Sequence, residues 1–243
     1  MGAGTRLAAE VLWRLHRAST RRLQPRLRSR YAGVAYEHDQ RLGDATLRRW
    51  RGDPTPESTA DRPDYEAGLV RGLKSAVRPG DRVTVIGGGY GITTVIAAQL
   101  AGPASRVTCF EASSEQVRLM RRTLTLNGVA GRVQVRREIV GDVFHVYGGA
   151  SRVTRIAPQD LPDCDVLEMD CEGSERRILS DMTIRPREIV VETHGFYHSH
   201  TPVVRAILEQ RGYAVKDLGI AEPDLAQMCI DNDVRVLHAR RIA

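Results

Sequence analysis

The stretch Val83-Thr84-Val85-Ile86-Gly87-Gly88-Gly89-Tyr90-Gly91-Ile92 narrows the fold of this 243-residue chain more than any other part of it. A short β-branched run enters a glycine-rich turn, and residues 93–100 leave it with helical character. Glycine reaches positive φ without a Cβ clash and lets a ligand come close to the backbone. The helix that follows offers unpaired N–H groups at its start. Strand, glycine loop and helix together predict a nucleotide-type site in an open α/β sheet; the alternative is a tight structural turn.

Flavin, nicotinamide and S-adenosylmethionine proteins all use related turns, so the loop alone does not choose among them. The next strand adds information. Arg106-Val107-Thr108-Cys109-Phe110-Glu111 ends in an acid twenty residues past Gly91. An acid at that place can accept hydrogen bonds from both ribose hydroxyls. The plainer role for Glu111 is a surface acid that starts the next helix.

The chain is long enough for one large α/β domain with an additional segment, and 42% hydrophobic residues allow a full core. It has no apolar run of eighteen residues, and no apolar core precedes a cleavage site near the start, so the expectation is a cytoplasmic protein. Cys109, Cys164, Cys171 and Cys229 form no CxxC pair. They read as free thiols, with no metal-ligand motif. The net charge of +6 is uneven, because residues 1–52 carry twelve arginines against Glu10, Glu37, Asp39 and Asp44. The basic character belongs to an N-terminal arm.

In that arm, residues 5–18 have helical spacing, with Leu7, Val11, Leu12 and Leu15 on one side. Such a basic amphipathic helix either packs on its own domain or makes a peripheral contact with an anionic membrane or an acidic partner. No groove-reading motif accompanies the arginines, so nucleic acid is an unlikely partner. The linker-like run 51–58 places a boundary near residue 60: a basic helical arm and linker over 1–60, and the main domain over 61–243. Residues 64–77 predict a helix over the mouth of the site, with Tyr65 or Glu66 in reach.

After Glu111, Ser113 or Ser114 caps a helix to Leu126, stopped by Asn127-Gly128. A third strand over 132–136 follows. Asp142 stands where an acid can meet an adenine amino group, or is a turn residue. Residues 143–147 and 152–156 predict a hairpin around Gly148-Gly149. The fourth strand ends in Asp170-Cys171-Glu172-Gly173-Ser174-Glu175, and the fifth in Glu192-Thr193-His194. Ligands bind beyond the carboxyl ends of parallel strands. Asp170 and Glu172 can act there as a general base or hold a divalent cation with water, and His194 can take a hydroxyl proton. The bland roles are a helix cap, a solvated acid and a structural histidine. Residues 213–218 and 234–239 predict two final strands that close the sheet in partly antiparallel fashion.

Taken in order, Gly80-Asp81, the loop to Gly91, Phe110-Glu111-Ala112, Leu126-Asn127-Gly128, the 170–175 motif and Val191-Glu192-Thr193-His194 resemble the FkbM family of S-adenosylmethionine-dependent methyltransferases. The similarity spans about residues 65 to 218. It implies a class I methyltransferase (Rossmann-like) α/β fold: a mostly parallel seven-stranded sheet, helices on both faces and an antiparallel closing edge. It also implies S-adenosylmethionine as cofactor and O-methylation of a hydroxyl on a small-molecule or glycan acceptor: a sugar, glycolipid or secondary metabolite. By that resemblance Gly87, Gly89, Tyr90 and Gly91 cradle the methionine end, and Glu111 with Ala112 and Asp170 hold the remainder. Asp170, Glu172 and His194 become the catalytic candidates. Two positions depart from the family pattern. Val85 stands where such loops carry an acid, and Glu168 where a lysine is common. Two alternatives stay open: a catalytically silent binding protein on the same fold, and a nicotinamide oxidoreductase, which the Asp-x-Glu-Gly cluster disfavours.

Overall fold

In the computed structural model, residues 3–16, 21–42, 44, 59–142 and 153–242 are described. The central sheet follows from runs of β-branched and apolar residues flanked by turn residues. Its parallel part is β3 (Arg82–Ile86), β4 (Arg106–Phe110), β5 (Val133–Arg136), β8 (Val166–Met169) and β9 (Glu188–His194). The last two strands, β10 (Tyr213–Ile220) and β11 (Val234–Arg241), complete seven in the order β10-β11-β9-β8-β3-β4-β5. β11 runs antiparallel to both its neighbours, and the other pairs are parallel. The predicted antiparallel closing pair is therefore present.

Side chains alternate between two cores, as the strand period requires. Val83, Val85, Val107, Cys109, Val166 and Val190 face one core. It is covered by α2 (Ala67–Ala76), α3 (Ile92–Ala101) and α4 (Ser114–Leu126). Ile86, Phe110, Leu167, Met169, Ile189 and Val191 face the other, under α5 (Glu175–Asp181) and α6 (Thr201–Gln210). A last short helix, α7 (Ala226–Asp231), leads into β11. The α4 boundaries follow the sequence reading. The Ser113 hydroxyl accepts from the Gln116 N–H at 3.3 Å, and Gly128 turns left-handed after Asn127.

The N-terminal segment differs from a purely helical arm. α1 (Ala3–Leu15) is there, and among the described residues its Leu7, Val11, Leu12 and Leu15 are exposed. The chain then forms an antiparallel hairpin, β1 (Arg26–Tyr31) and β2 (Val34–Arg41), through an Ala32-Gly33 turn with both φ positive. Tyr31, Val34 and Tyr36 enter the first core. Tyr36 packs between Tyr31 and Tyr90, 5.0 Å from each ring centroid. Asn127 exchanges two hydrogen bonds with the Ala35 backbone at 3.1 and 2.8 Å. Among the described residues, several of the arm's arginines are engaged by acids of the same segment. Arg26 and Arg28 pair with Asp39 and Glu37, and Arg21 pairs with Asp44.

Before β8, β6 (Glu138–Val140) and β7 (Thr154–Ile156) pair in parallel. The first leg and turn of the expected hairpin, 143–149, and the linker run 51–58 lie outside the described residues.

Candidate functional site

The chain passes outward from β3 to β4 and β5, then returns to place β8 against the other side of β3. That reversal makes a crevice beyond the carboxyl ends of β3 and β8, the usual ligand position in open α/β sheets. A cavity of about 390 Å³ opens there. Gly87, Gly89, Tyr90, Glu111, Ala112, Asp170, Glu172 and His194 all line it, so eight of the sequence-selected residues come together.

The glycine loop is built for close approach. Gly87 has φ +88, and a Cβ there would run into the backbone carbonyl of Asp170. Gly87 therefore seals β3 against β8. Gly89 has φ +48, and a Cβ there meets nothing within 4 Å. It leaves backbone open to the cavity. Gly91, at φ +85, caps α3 and packs on Met120.

Glu111 faces this loop. One of its oxygens accepts from the Gly89 N–H at 2.9 Å and the other from the Ser113 N–H at 2.7 Å. Burial pushes its carboxyl up, against the pull of those N–H groups. Asp142 is not brought in: its side chain is 79% exposed and lies 3.5 Å from Arg155. Glu138, Ile139 and Val140 form that wall instead. Asp142 has the predicted position along the chain, but the parallel β6–β7 pair turns it outward.

Across the cavity, four carboxylates surround one histidine. The Nε2 atom of His194 lies 3.4 Å from Asp170, 3.6 Å from Glu192 and 3.7 Å from Glu172. Its Nδ1 lies 2.9 Å from Glu175. Glu175 is fully buried and also accepts from the N–H groups of Cys171 and Gly173. The final glutamate of the 170–175 motif therefore fixes both the turn and the histidine ring. Sequence reading placed Glu192 at this edge without a role and did not connect Glu175 to His194. The motif itself was the available signal for Glu175.

Electrostatics follow from this crowding. Burial alone would push the His194 imidazole down. The Glu175 hydrogen bond and the Asp170 and Glu172 carboxylates outweigh it and hold it at about 9. Burial pushes Asp170 up, and despite the opposing pull of His194 its carboxyl stands at about 7. Glu66, which caps the mouth from the start of α2 with φ +48, is pushed to about 8 by burial and by Asp170. Tyr65 and Glu66 do reach the cavity. The two departures from the family pattern, Val85 and Glu168, are register partners on adjacent strands. Glu168 is wholly buried, with no hydrogen-bond partner among the described residues on either oxygen. Burial, then Asp170 and Glu66, push its carboxyl well above the usual range, so it is kept uncharged behind the site.

Comparison with known proteins agrees with this geometry at the level of fold. A precorrin-6y C5,15-methyltransferase from Geobacter metallireducens aligns over 74% of this chain and 90% of its own, with a TM-score of 0.51 and 18% identity. A SAM-dependent O-methyltransferase from Thermotoga maritima aligns over 74% of this chain with a TM-score of 0.50 and 15% identity. The aligned part spans 66% of the Thermotoga enzyme's length. A protein from Bordetella parapertussis aligns over 73% of this chain and 67% of its own, with a TM-score of 0.50 and 13% identity. No protein-family model and no curated protein matches the sequence. The sheet order, the reversal between β3 and β8 and these likenesses define a class I methyltransferase fold, Rossmann-like, with helices on both faces. Among the described residues no helix is long and apolar enough to cross a membrane.

Proposed function

We propose that this chain is an S-adenosylmethionine-dependent methyltransferase that methylates a hydroxyl of a small-molecule or glycan acceptor, in the manner of the FkbM family that its 170–175 motif resembles. The observation that carries the reading is the pairing of Glu111 with the open Gly89 backbone at the switch point of the sheet. The residues present fit such a cofactor. A side chain at Gly89 would occupy the cradle, and Glu111 is a buried carboxylate on the cavity wall, suited to two ribose hydroxyls. The chemistry the cofactor supplies when bound is an electrophilic methyl group on a sulfonium.

The chain's own residues do the rest. The glycine loop positions, and the Glu138–Val140 wall flanks, the adenosine side. Phe196, Leu225 and Met228 give the mouth an apolar rim that seats the acceptor and excludes water. Asp170, Glu172 and His194 stand at the carboxyl edge where a hydroxyl proton has to go. Holding acceptor and methyl donor together accounts for much of the rate expected of such an enzyme.

Calorimetric titration of the full chain with S-adenosylmethionine tests this. Micromolar binding is expected. Glu111→Ala, with its fold checked by circular dichroism, is expected to weaken it by about a hundredfold or more, because two charge-assisted hydrogen bonds are lost at about 1.5–3 kcal/mol each. A folded wild-type protein that binds no cofactor overturns the reading in favour of a silent binding protein. Binding unaffected by Glu111→Ala removes the ribose role of Glu111.

A further inference from the structure

We propose that Asp170, Glu192 and His194 form a binding site for a divalent transition-metal cation, with an open position toward the cavity. The first argument is orientation. The Glu175 carboxylate, anchored by two backbone N–H groups, takes the Nδ1 side of His194 and turns Nε2 into the cavity. A carboxylate behind a histidine is the usual support of a metal-binding imidazole, fixing its tautomer and raising its basicity.

The second argument is distance. Ligand atoms of Asp170, Glu192 and His194 all lie within 4.8 Å of one another. The Nε2–oxygen separations of 3.4 Å to Asp170 and 3.6 Å to Glu192 exceed the ~2.7–2.9 Å of a charge-assisted hydrogen bond. They match the ligand-to-ligand edge of a tetrahedral site, about 3.4 Å when each metal–ligand bond is about 2.1 Å. The groups are spaced to share a central ion more than to bond one another.

The third argument is unmet demand. Glu192 is 8% exposed, and one of its oxygens has no hydrogen-bond partner among the described residues. The Asp170 oxygen nearest His194 has none either. Among the described residues lining the cavity, the only arginine is Arg62, and it pairs with Glu222 at 2.7 Å. A mixed set of one imidazole and two carboxylates suits zinc or manganese, and three protein ligands leave a coordination position for substrate.

Binding stands on this geometry alone; its role rests on the methyl transfer proposed above. A cation there would act as a Lewis acid on the acceptor hydroxyl. The O–H bond breaks with its proton passing to Glu172, the O–CH3 bond forms, and the sulfonium C–S bond breaks to leave a neutral thioether.

The test uses the full chain, stripped with a chelator and titrated separately with Zn2+, Mn2+ and S-adenosylmethionine. One equivalent of Zn2+ or Mn2+ is expected to bind at micromolar or lower concentration. Asp170→Asn and Glu192→Gln are each expected to weaken it at least tenfold, with circular dichroism melts reporting the fold. Glu175→Gln, which touches no cation, is expected to weaken it about 10–100-fold. Wild-type protein that binds neither ion, or variants that bind as wild type does, overturn the site. Cofactor binding without cation binding sinks this inference alone, and cation binding without cofactor binding sinks the methyltransferase reading alone.

Discussion

Alanine at Gly89 and alanine at Gly87 separate holding a cofactor from holding the fold. Both glycines have positive φ, +48 and +88. At Gly89 the new methyl meets nothing within 4 Å, so the expense is the left-handed backbone alone, about 1 kcal/mol. For a domain of this size that lowers Tm by roughly 2–4 °C. At Gly87 the methyl overlaps the Asp170 carbonyl. Neither partner can retreat, because the Gly87 N–H is bonded to Phe110 and the Asp170 N–H to Ile86, each at 2.9 Å. Strain and overlap together should exceed about 4 kcal/mol, a Tm loss above roughly 8 °C, or no folded protein at all. Cofactor affinity should divide the other way. Gly89→Ala fills the space left for the ligand and should weaken S-adenosylmethionine binding at least tenfold, about 1.4 kcal/mol. Thermal melts and calorimetry on both variants decide it. Wild-type affinity in Gly89→Ala would refute the cradle, and a wild-type melt in Gly87→Ala would refute the sealed β3–β8 turn.

The hairpin should matter to both stability and ligand binding. Tyr36→Ala removes a buried ring from between Tyr31 and Tyr90, so a loss of about 3–5 kcal/mol in urea melts is expected. Weaker cofactor binding should accompany it, since Tyr90 belongs to the glycine loop; Tyr36→Phe should keep most of both. Acid should act through Asp44. Burial pushes that carboxyl up, but Arg21, the Arg41 N–H and His16 outweigh it and hold it below the ordinary carboxylate range. A depressed folded value means its stabilisation is present above the unfolded value of about 3.9 and is lost as pH falls through the folded value. Asp44→Asn should therefore cost about 2 kcal/mol at pH 7 and much less at pH 3, and a difference independent of pH would contradict it.

Local chemistry made part of this molecule readable. The β3–loop–α3 unit and Glu111 were legible because a glycine turn and an acid after a strand have few other uses. The hairpin was not, because the arginines of β1 and β2 read as a free basic arm, while in the structure Asp39 bonds Arg26, Arg118 and Arg122 at 2.6–2.9 Å. Its alternation also hides in polar residues: His38 and Gln40 are buried with Val34 and Tyr36, and the His38 Nε2 bonds Ser29 at 2.7 Å. Glu175 and His194 are nineteen residues apart and meet only because α5 starts beside the end of β9. Asp142 failed for the opposite reason. Its position in the sequence fitted, but its side chain faces solvent beside Arg155.

The placement of β11 bears on how this protein is made. Val234 and Val236 are the register partners of His194 and Glu192. Until residues 234–241 have left the ribosome, the edge of β9 away from β8 is open, and two of the three cation ligands sit on a strand that lacks its neighbour on that side. A clipped chain that stops short of residue 234 lacks the strand that borders this corner of the cavity, so the carboxylate–histidine cluster is completed only by residues 234–241.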